Sequence, residues 1–133
     1  MNKMKKKILM IDDDEELCEE ITEILTNEGY RVTTAFDGLN GNRLIEKYDY
    51  DIVILDIKMP GLSGLDILEG IKGQDKELKV IVLTGRPLSK NLQEEQNYND
   101  KEESLLGLAD GIIGKPFDIE VLLGKIKKLA NKT

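Results

Sequence analysis

The sequence contains no histidine and no tryptophan, and it has only one cysteine among 133 residues. The absence of histidine removes the side chain that most often serves as a general base, so any chemistry must use carboxylates and lysines. The single cysteine, Cys18, cannot form an internal disulfide. Because it falls beside Ile21 and Leu25 on the apolar face of a predicted helix, we interpret it as a core residue and not as a reactive thiol.

The sequence also lacks long apolar runs and an excess of basic residues. Its apolar blocks are short, such as residues 52–55, far below the roughly 20 residues that a membrane-spanning helix needs. The N-terminal segment 1–7 has no small-residue cleavage pattern. We therefore expect no membrane partner, no export and a cytoplasmic location. The net charge of −7 argues against nucleic-acid binding by this domain itself, since such binding depends on clustered lysine and arginine.

Length and composition fit one folded domain. With 40% hydrophobic and 34% charged residues, a chain of this length can bury a core without disulfides or a structural metal. No internal repeat or proline-rich linker divides it, so we predict a single domain over residues 1–133. The sequence leaves open whether this domain stands alone or belongs to a longer protein, and which oligomeric state it adopts.

Five β-branched or aliphatic blocks predict five strands. They lie near residues 8–11, 31–35, 52–55, 80–83 and 111–113. Stripes with helical spacing lie between them and after the last: Leu17, Ile21 and Leu25; Leu44, Ile45 and Tyr48; Leu65, Leu68 and Ile71; Ile119, Leu122 and Ile126. Nearly continuous apolar strands are typical of a parallel sheet covered on both faces. The alternation predicts an α/β fold with a doubly wound five-stranded parallel sheet, whose sites form at the carboxyl ends of the strands.

Acidic residues follow the first and third predicted strands. Asp12, Asp13 and Asp14 come after the first strand, and Asp56 comes after the third. A helix N-cap explains Asp14, but Asp12, Asp13 and Asp56 would converge if these strands are neighbours. A hard divalent cation with oxygen ligands relieves the repulsion between converging carboxylates, and Mg²⁺ fits best because it leaves positions open for phosphate oxygens. Three unrelated surface acids are the alternative interpretation.

Two more strand ends place a hydroxyl and an ammonium group at the same edge. The fourth predicted strand ends at Thr84, and Lys115 follows the fifth. Neither residue is informative alone, because threonine is a common strand former and lysine a common surface charge. Together with the three acids they predict a pocket for a phosphoryl group, in which a cation, Mg²⁺ and a hydroxyl face its oxygens.

These motifs resemble those of response regulator receiver domains, the signalling modules of bacterial two-component systems. The similarity runs along the whole chain and is carried by residues 8–14 (ILMIDDD), 54–61 (ILDIKMPG), 82–85 (VLTG) and 114–117 (GKPF). It implies a flavodoxin-like (βα)5 fold with strand order 2-1-3-4-5. It also implies a cis peptide bond between Lys115 and Pro116, which the tertiary amide permits.

The resemblance implies a phosphorylation chemistry. Asp56 would be the nucleophile that accepts the phosphoryl group, Lys115 would pair with the phosphoryl oxygens, and Thr84 would move to hydrogen-bond one of them. The donor would be a sensor histidine kinase or a phosphotransfer protein, and the recipient of the signal an effector or output domain. Such a domain is not a conventional enzyme, although it catalyses its own Mg²⁺-dependent phosphorylation and dephosphorylation.

The resemblance also implies a set of metal ligands. Asp13, Asp56 and the main-chain carbonyl of Lys58 would bind Mg²⁺ directly. Asp12 would contribute through a bound water. The cofactor expected from these residues is therefore Mg²⁺.

Two features depart from the family pattern. Ile112 occupies the position, three residues before Lys115, where most receivers have an aromatic residue that changes rotamer together with Thr84. An isoleucine has no ring to reorient, which puts that coupling in question. The polar segment 89–104, in the fourth-helix region, is longer than usual and has five acidic residues against two lysines. It is either a tolerated insertion or a changed docking surface.

Several functional classes follow from these patterns. The leading hypothesis is a phosphorylation-dependent switch. A second is a receiver-fold protein interaction module with an altered or weak phosphorylation readout, suggested by Ile112 and the segment 89–104. A flavodoxin-like FMN binder is disfavoured because Asp12 to Asp14 occupy the turn that would hold the FMN phosphate. An aspartate-dependent phosphohydrolase also uses strand-end acids and Mg²⁺, and its turnover of phosphate esters would distinguish it.

Overall fold

The computed structural model describes residues 5–59, 61–74, 77–85 and 100–131. The elements follow in the order β1 (Lys7–Ile11), α1 (Glu15–Asn27), β2 (Arg31–Ala35), α2 (Gly38–Lys47), β3 (Ile52–Asp56), α3 (Gly64–Gly73), β4 (Lys79–Thr84), α4 (Asp100–Leu106), β5 (Gly111–Gly114) and α5 (Ile119–Ala130). Each strand begins and ends within one residue of the range that the sequence pattern predicts. In the described ranges no helix is both long and apolar enough to cross a bilayer.

The five strands form one parallel sheet in the order β2-β1-β3-β4-β5. This arrangement confirms the predicted doubly wound topology and its strand order. β1 lies between β2 and β3, with Ile8 in register with Val32 on one side and Ile52 on the other. The direction of winding changes between β1 and β3, so their carboxyl ends border the crevice in which doubly wound sheets form their sites.

Helices cover the two faces of the sheet and bury two apolar clusters. The helices α2, α3 and α4 cover one face, over strand residues such as Val53 and Val82. The helices α1 and α5 cover the other face, where Cys18 and Leu122 pack with Ile54. Cys18 is 1% exposed, which confirms its interpretation as a core residue. Burial, together with the nearby carboxylates of Asp12 and Asp14, raises the pKa of its thiol to about 12, so this thiol is protonated and unreactive at neutral pH.

Side-chain caps fix where α1, α2 and α3 begin. Asp14 caps α1, as the sequence predicts, by accepting a hydrogen bond from the N–H of Leu17 over 3.1 Å. Asp37 caps α2 and Ser63 caps α3 in the same way. Because α1 is the next element after β1 and α3 the next after β3, these caps set the ends of the loops that follow the sheet edge.

The polar segment 89–104 lies largely outside the described residues. Of this segment, only residues 100–104 are described, and they belong to α4. The choice between a tolerated insertion and a changed docking surface therefore stays a prediction.

Candidate functional site

Three carboxylates meet at the carboxyl ends of β1 and β3. Asp12 and Asp13 follow β1, and Asp56 is the last residue of β3. One carboxylate oxygen from each residue lies within 4.8 Å of the others. Asp12 is fully buried and Asp56 is 5% exposed, whereas Asp13 is exposed to solvent. Because buried carboxylates are costly unless they are paired, this cluster requires positive charge beside it.

Lys115 supplies one positive charge. Its Nζ lies 2.7 Å from Oδ2 of Asp12 and 3.7 Å from Oδ2 of Asp56. Burial lowers the pKa of the Lys115 ammonium, but its hydrogen bond to Asp12 and the nearby carboxylates outweigh burial, so the net shift is upward. The lysine is therefore charged at neutral pH. A single ammonium leaves the three carboxylates with excess negative charge.

The pKa of Asp56 reflects burial first and this excess of negative charge second. Burial raises the pKa of the Asp56 carboxyl to about 6, and the Asp12 carboxylate adds to this effect. Lys115 acts in the opposite direction, as does the main-chain N–H of Lys58, which donates to Oδ1 of Asp56 over 3.2 Å. The exposed carboxylate of Asp13 raises the pKa further. All the clustered acids offer oxygen ligands and one of them faces water, so the cluster fits Mg²⁺, which prefers oxygen and keeps several waters.

Hydrogen bonds hold Asp12 in one position. Its Oδ1 accepts from the N–H of Asp14 over 2.9 Å, and its Oδ2 accepts from Lys115. Its main-chain N–H donates to the carbonyl of Ala35, and its carbonyl accepts from Sγ of Cys18. Because both carboxylate oxygens of Asp12 already accept hydrogen bonds, Asp12 is better suited to contact a metal ion through a bound water than to coordinate it directly.

Thr84 and Lys58 lie at the same sheet edge. Thr84 is the last residue of β4, is 3% exposed, and accepts a hydrogen bond at its carbonyl from the N–H of Lys115 over 2.7 Å. Lys58 lies two residues after Asp56, with its side chain exposed. The Lys115–Pro116 peptide bond is cis, as the resemblance implies.

Ile112 is partly buried on β5. It pairs in register with Val82 of β4 and packs against the apolar cluster under α2, α3 and α4. The position that is aromatic in most receivers is thus occupied here by an aliphatic side chain that contributes to the core. Isoleucine provides no aromatic ring at this position.

Gly64 is a site residue that sequence reasoning missed. It is the first residue of α3, and its N–H donates to the carbonyl of Ile57 over 3.1 Å. A Cβ at this position would lie 2.3 Å from the main-chain oxygen of Asp56 and 2.7 Å from Cα of Ile57. Only glycine allows α3 to begin this close to the strand that ends at Asp56. The available signal was a glycine directly after the capping Ser63, where most helices have a better helix former.

Known proteins share this chain's sequence pattern. The family model for the response regulator receiver domain matches residues 8–127. The chain is 36% identical over 121 residues to the transcriptional regulatory protein DltR of Streptococcus agalactiae and 32% identical over 129 residues to the response regulator ArlR of Staphylococcus aureus. These matches cover 91% and 95% of this chain but 50% and 53% of the relatives. The chain therefore spans about half the length of these relatives.

Solved structures share the fold. The response regulator TrrA of Thermotoga maritima, in complex with Mg(2+)-BeF, is similar with a TM-score of 0.78 and 34% identity, over 93% of this chain and 98% of that one. A CheY-like receiver domain protein of Methanospirillum hungatei has a TM-score of 0.77 and 32% identity, over 96% and 95% of the two chains. This chain therefore belongs to the receiver domain family of two-component response regulators.

Proposed function

We propose that this receiver domain accepts a phosphoryl group on Asp56 in a Mg²⁺-dependent reaction and thereby changes its binding to partner proteins. The observation that carries the proposal is the meeting of Asp12, Asp13 and Asp56 within 4.8 Å, with the Lys115 ammonium 3.7 Å from Asp56. The similarity to TrrA, whose structure contains Mg(2+)-BeF, supports a magnesium site in such a domain.

In the proposed reaction Asp56 is the nucleophile. One of its carboxylate oxygens forms a bond to phosphorus as the bond between phosphorus and the donor's leaving group breaks, and that group departs with the electron pair. The hydrogen bond from the N–H of Lys58 to Oδ1 orients the carboxylate. The domain thus promotes its own phosphorylation, in a family that is not a class of conventional enzymes.

The acids and the main chain around Asp56 hold the metal in this proposal. Asp13, Asp56 and the main-chain carbonyl of Lys58 would hold Mg²⁺ directly, and Asp12 would contribute through a water molecule. When bound, Mg²⁺ supplies positive charge to the carboxylates and to the phosphoryl oxygens. The pKa of Asp56 is raised first by burial and then by the Asp12 carboxylate, against the opposing effect of Lys115, and a divalent cation beside these acids would offset both effects.

Lys115 and Thr84 respond to the phosphoryl group in this proposal. The Lys115 ammonium, already between Asp12 and Asp56, pairs with a phosphoryl oxygen. Thr84 moves to donate a hydrogen bond to another. A new dianionic group that recruits nearby donors is a recurrent physical basis for switching.

The proposed partners follow from the family. A sensor histidine kinase or a phosphotransfer protein donates the phosphoryl group in the cytoplasm, and an effector or output domain receives the signal. The acidic composition argues against direct DNA binding by this domain. We propose that residues 1–133 form one receiver domain.

A second candidate function is a receiver-fold interaction module whose phosphorylation has a weak or altered readout. The observation that favours it is Ile112, which packs in the core where an aromatic residue would couple to Thr84. In this case phosphorylation proceeds but changes partner binding little. Partner binding that strengthens markedly on phosphorylation would exclude this second candidate.

Incubation with acetyl phosphate and Mg²⁺ is expected to add the mass of one phosphoryl group to the intact chain. The Asp56→Asn variant is expected to add none, because an amide is a far weaker nucleophile than a carboxylate. Intact-protein mass spectrometry is the measurement. Asp49→Asn is the matched control, since it makes the same change of carboxylate to amide at an exposed residue outside the acidic cluster. An unchanged wild-type mass, or equal labelling of Asp56→Asn, would contradict the proposal.

Removal of Mg²⁺ with a chelator is expected to abolish this labelling.

Asp13→Asn is expected to weaken Mg²⁺ binding by at least roughly tenfold, because it removes a charged ligand. It is also expected to stabilise the metal-free protein by about 0.5–1 kcal/mol, since it relieves repulsion at the cluster. Urea unfolding with and without Mg²⁺ measures both effects, with Asp49→Asn as control. The metal assignment fails if wild type and Asp13→Asn respond equally to Mg²⁺.

A further inference from the structure

A groove runs between the outer edge of β2 and the neighbouring face of α2. It encloses about 470 Å³ and is lined by residues 34–37 and by a face of α2 that includes Arg43, Leu44 and Lys47. None of these residues belongs to the acidic cluster. The proposed phosphorylation chemistry therefore gives this groove no role.

The main chain at this edge has hydrogen-bonding groups that face away from the sheet. The N–H of Arg31 donates to the carbonyl of Lys6, and the carbonyl of Ala35 accepts from Asp12, so residues 31, 33 and 35 face β1. In a parallel ladder the intervening residues Val32 and Thr34 direct their N–H and C=O groups outward. Within the described residues no strand pairs with this side of β2. An edge of this kind is a template for an additional strand.

The charge along the groove is positive, although the protein as a whole is acidic. Arg43 and Lys47 lie one turn apart on α2, both exposed, and within the described part of the chain neither forms an ion pair. Lys47 lies 5.5 Å from the centre of the Tyr48 ring. Asp37 is the one acid among the described lining residues, and both its carboxylate oxygens already accept from Asn40. The described lining residues of the groove thus carry two cations against one carboxylate, and that carboxylate is already hydrogen-bonded to Asn40.

Apolar surface lies beside these cations. Phe36 is 40% exposed and Tyr48 is 52% exposed, and both line the groove together with Leu44. Partly exposed aromatic side chains next to an open strand edge can receive alternate side chains of an extended peptide, because successive side chains of a strand point to opposite faces.

We propose that this groove binds an extended acidic segment of a partner protein. The segment pairs with the outward main-chain groups of β2 as an added strand and places carboxylates against Arg43 and Lys47. Charge complementarity favours this occupant: an acidic ligand meets the groove's cations, whereas a basic one would be repelled. The proposal does not depend on phosphorylation of Asp56.

The test uses a fluorescein-labelled peptide of alternating glutamate and valine, measured by fluorescence anisotropy at low ionic strength. We expect saturable binding that weakens as salt is added. Arg43→Glu is expected to weaken it by roughly tenfold. Lys128→Glu, which reverses an exposed charge on α5, is the matched control and should bind like wild type. Circular dichroism verifies that both variants fold.

Four comparisons can overturn the proposal. A twin peptide with lysine in place of glutamate should not bind, and a twin with methylated backbone nitrogens should bind weakly, because it lacks strand donors. Equal binding of the methylated twin would exclude strand addition. Equal binding by Arg43→Glu and wild type, or no binding of the acidic peptide, would exclude the groove as its site. Complete displacement of the peptide by millimolar inorganic phosphate would instead indicate a site for small anions.

Discussion

Gly64→Ala is expected to destabilise the domain by about 2–4 kcal/mol and to slow phosphorylation of Asp56. The added Cβ would lie 2.3 Å from the main-chain oxygen of Asp56 and 2.7 Å from Cα of Ile57. Both contacts are with backbone, which has no rotamer that could relieve them. Either α3 or the end of β3 must therefore shift. A shift of β3 would move the Asp56 carboxylate away from Lys115 and from the other two acids.

Gly70→Ala is the matched control for this effect. Gly70 lies in the same helix, and nothing comes within 4 Å of a Cβ built there. Replacing a glycine by alanine inside a helix is expected to stabilise it by about 0.5–1 kcal/mol. Both substitutions replace a glycine of α3 by alanine. Any difference between the two variants in urea unfolding, or in the rate of labelling by acetyl phosphate, therefore reports the contact of the Gly64 position with Asp56. If Gly64→Ala proved as stable and as reactive as Gly70→Ala, the close approach of α3 to β3 would affect neither the stability of the domain nor the position of Asp56.

The parallel sheet follows from features that a sequence displays directly. Apolar blocks such as residues 52–55 have no polar alternation, because both faces of each central strand are covered. The alternation with helical stripes then predicts a doubly wound sheet. The order that places the ends of β1 and β3 side by side was implied by the resemblance to receiver domains. The three acids of the cluster could be predicted because each ends a strand or lies within two residues of its end, and strand ends are visible in the sequence.

Other properties of the site depend on tertiary distances that no local pattern encodes. The sequence predicts that Lys115 lies at the edge of the site. It does not predict the 2.7 Å contact of Lys115 with Asp12, because this contact joins residues far apart in the chain. It does not reveal that Asp12 is fully buried while Asp13 beside it is exposed. The role of Gly64 was missed because it depends on how closely α3 approaches β3. The groove at β2 was missed because an open strand edge is a property of the assembled sheet.

Lys115→Met is expected to lower the free energy of unfolding of the metal-free protein by about 2–3 kcal/mol. Methionine keeps an apolar stem of similar length but removes the charge. The carboxylate of Asp12, which has no solvent exposure, would then lose its ion pair. Removing one partner of a fully buried pair costs about 3–5 kcal/mol, and the 24% exposure of the Lys115 side chain reduces that cost. Lys128→Met, an exposed lysine on α5, should change stability by less than about 0.5 kcal/mol.

The same variant separates the two sources of positive charge at the site. Without Lys115 the three carboxylates depend on Mg²⁺ alone, so saturating Mg²⁺ should stabilise Lys115→Met more than it stabilises wild type. Urea unfolding of both proteins with and without Mg²⁺ measures this difference. Labelling by acetyl phosphate should still be at least roughly tenfold slower, because Mg²⁺ does not replace the lysine's contact with the phosphoryl oxygens. Equal stabilisation of the two proteins by Mg²⁺ would mean that Lys115 and the metal do not neutralise the same carboxylates, and the proposed metal site would have to lie elsewhere.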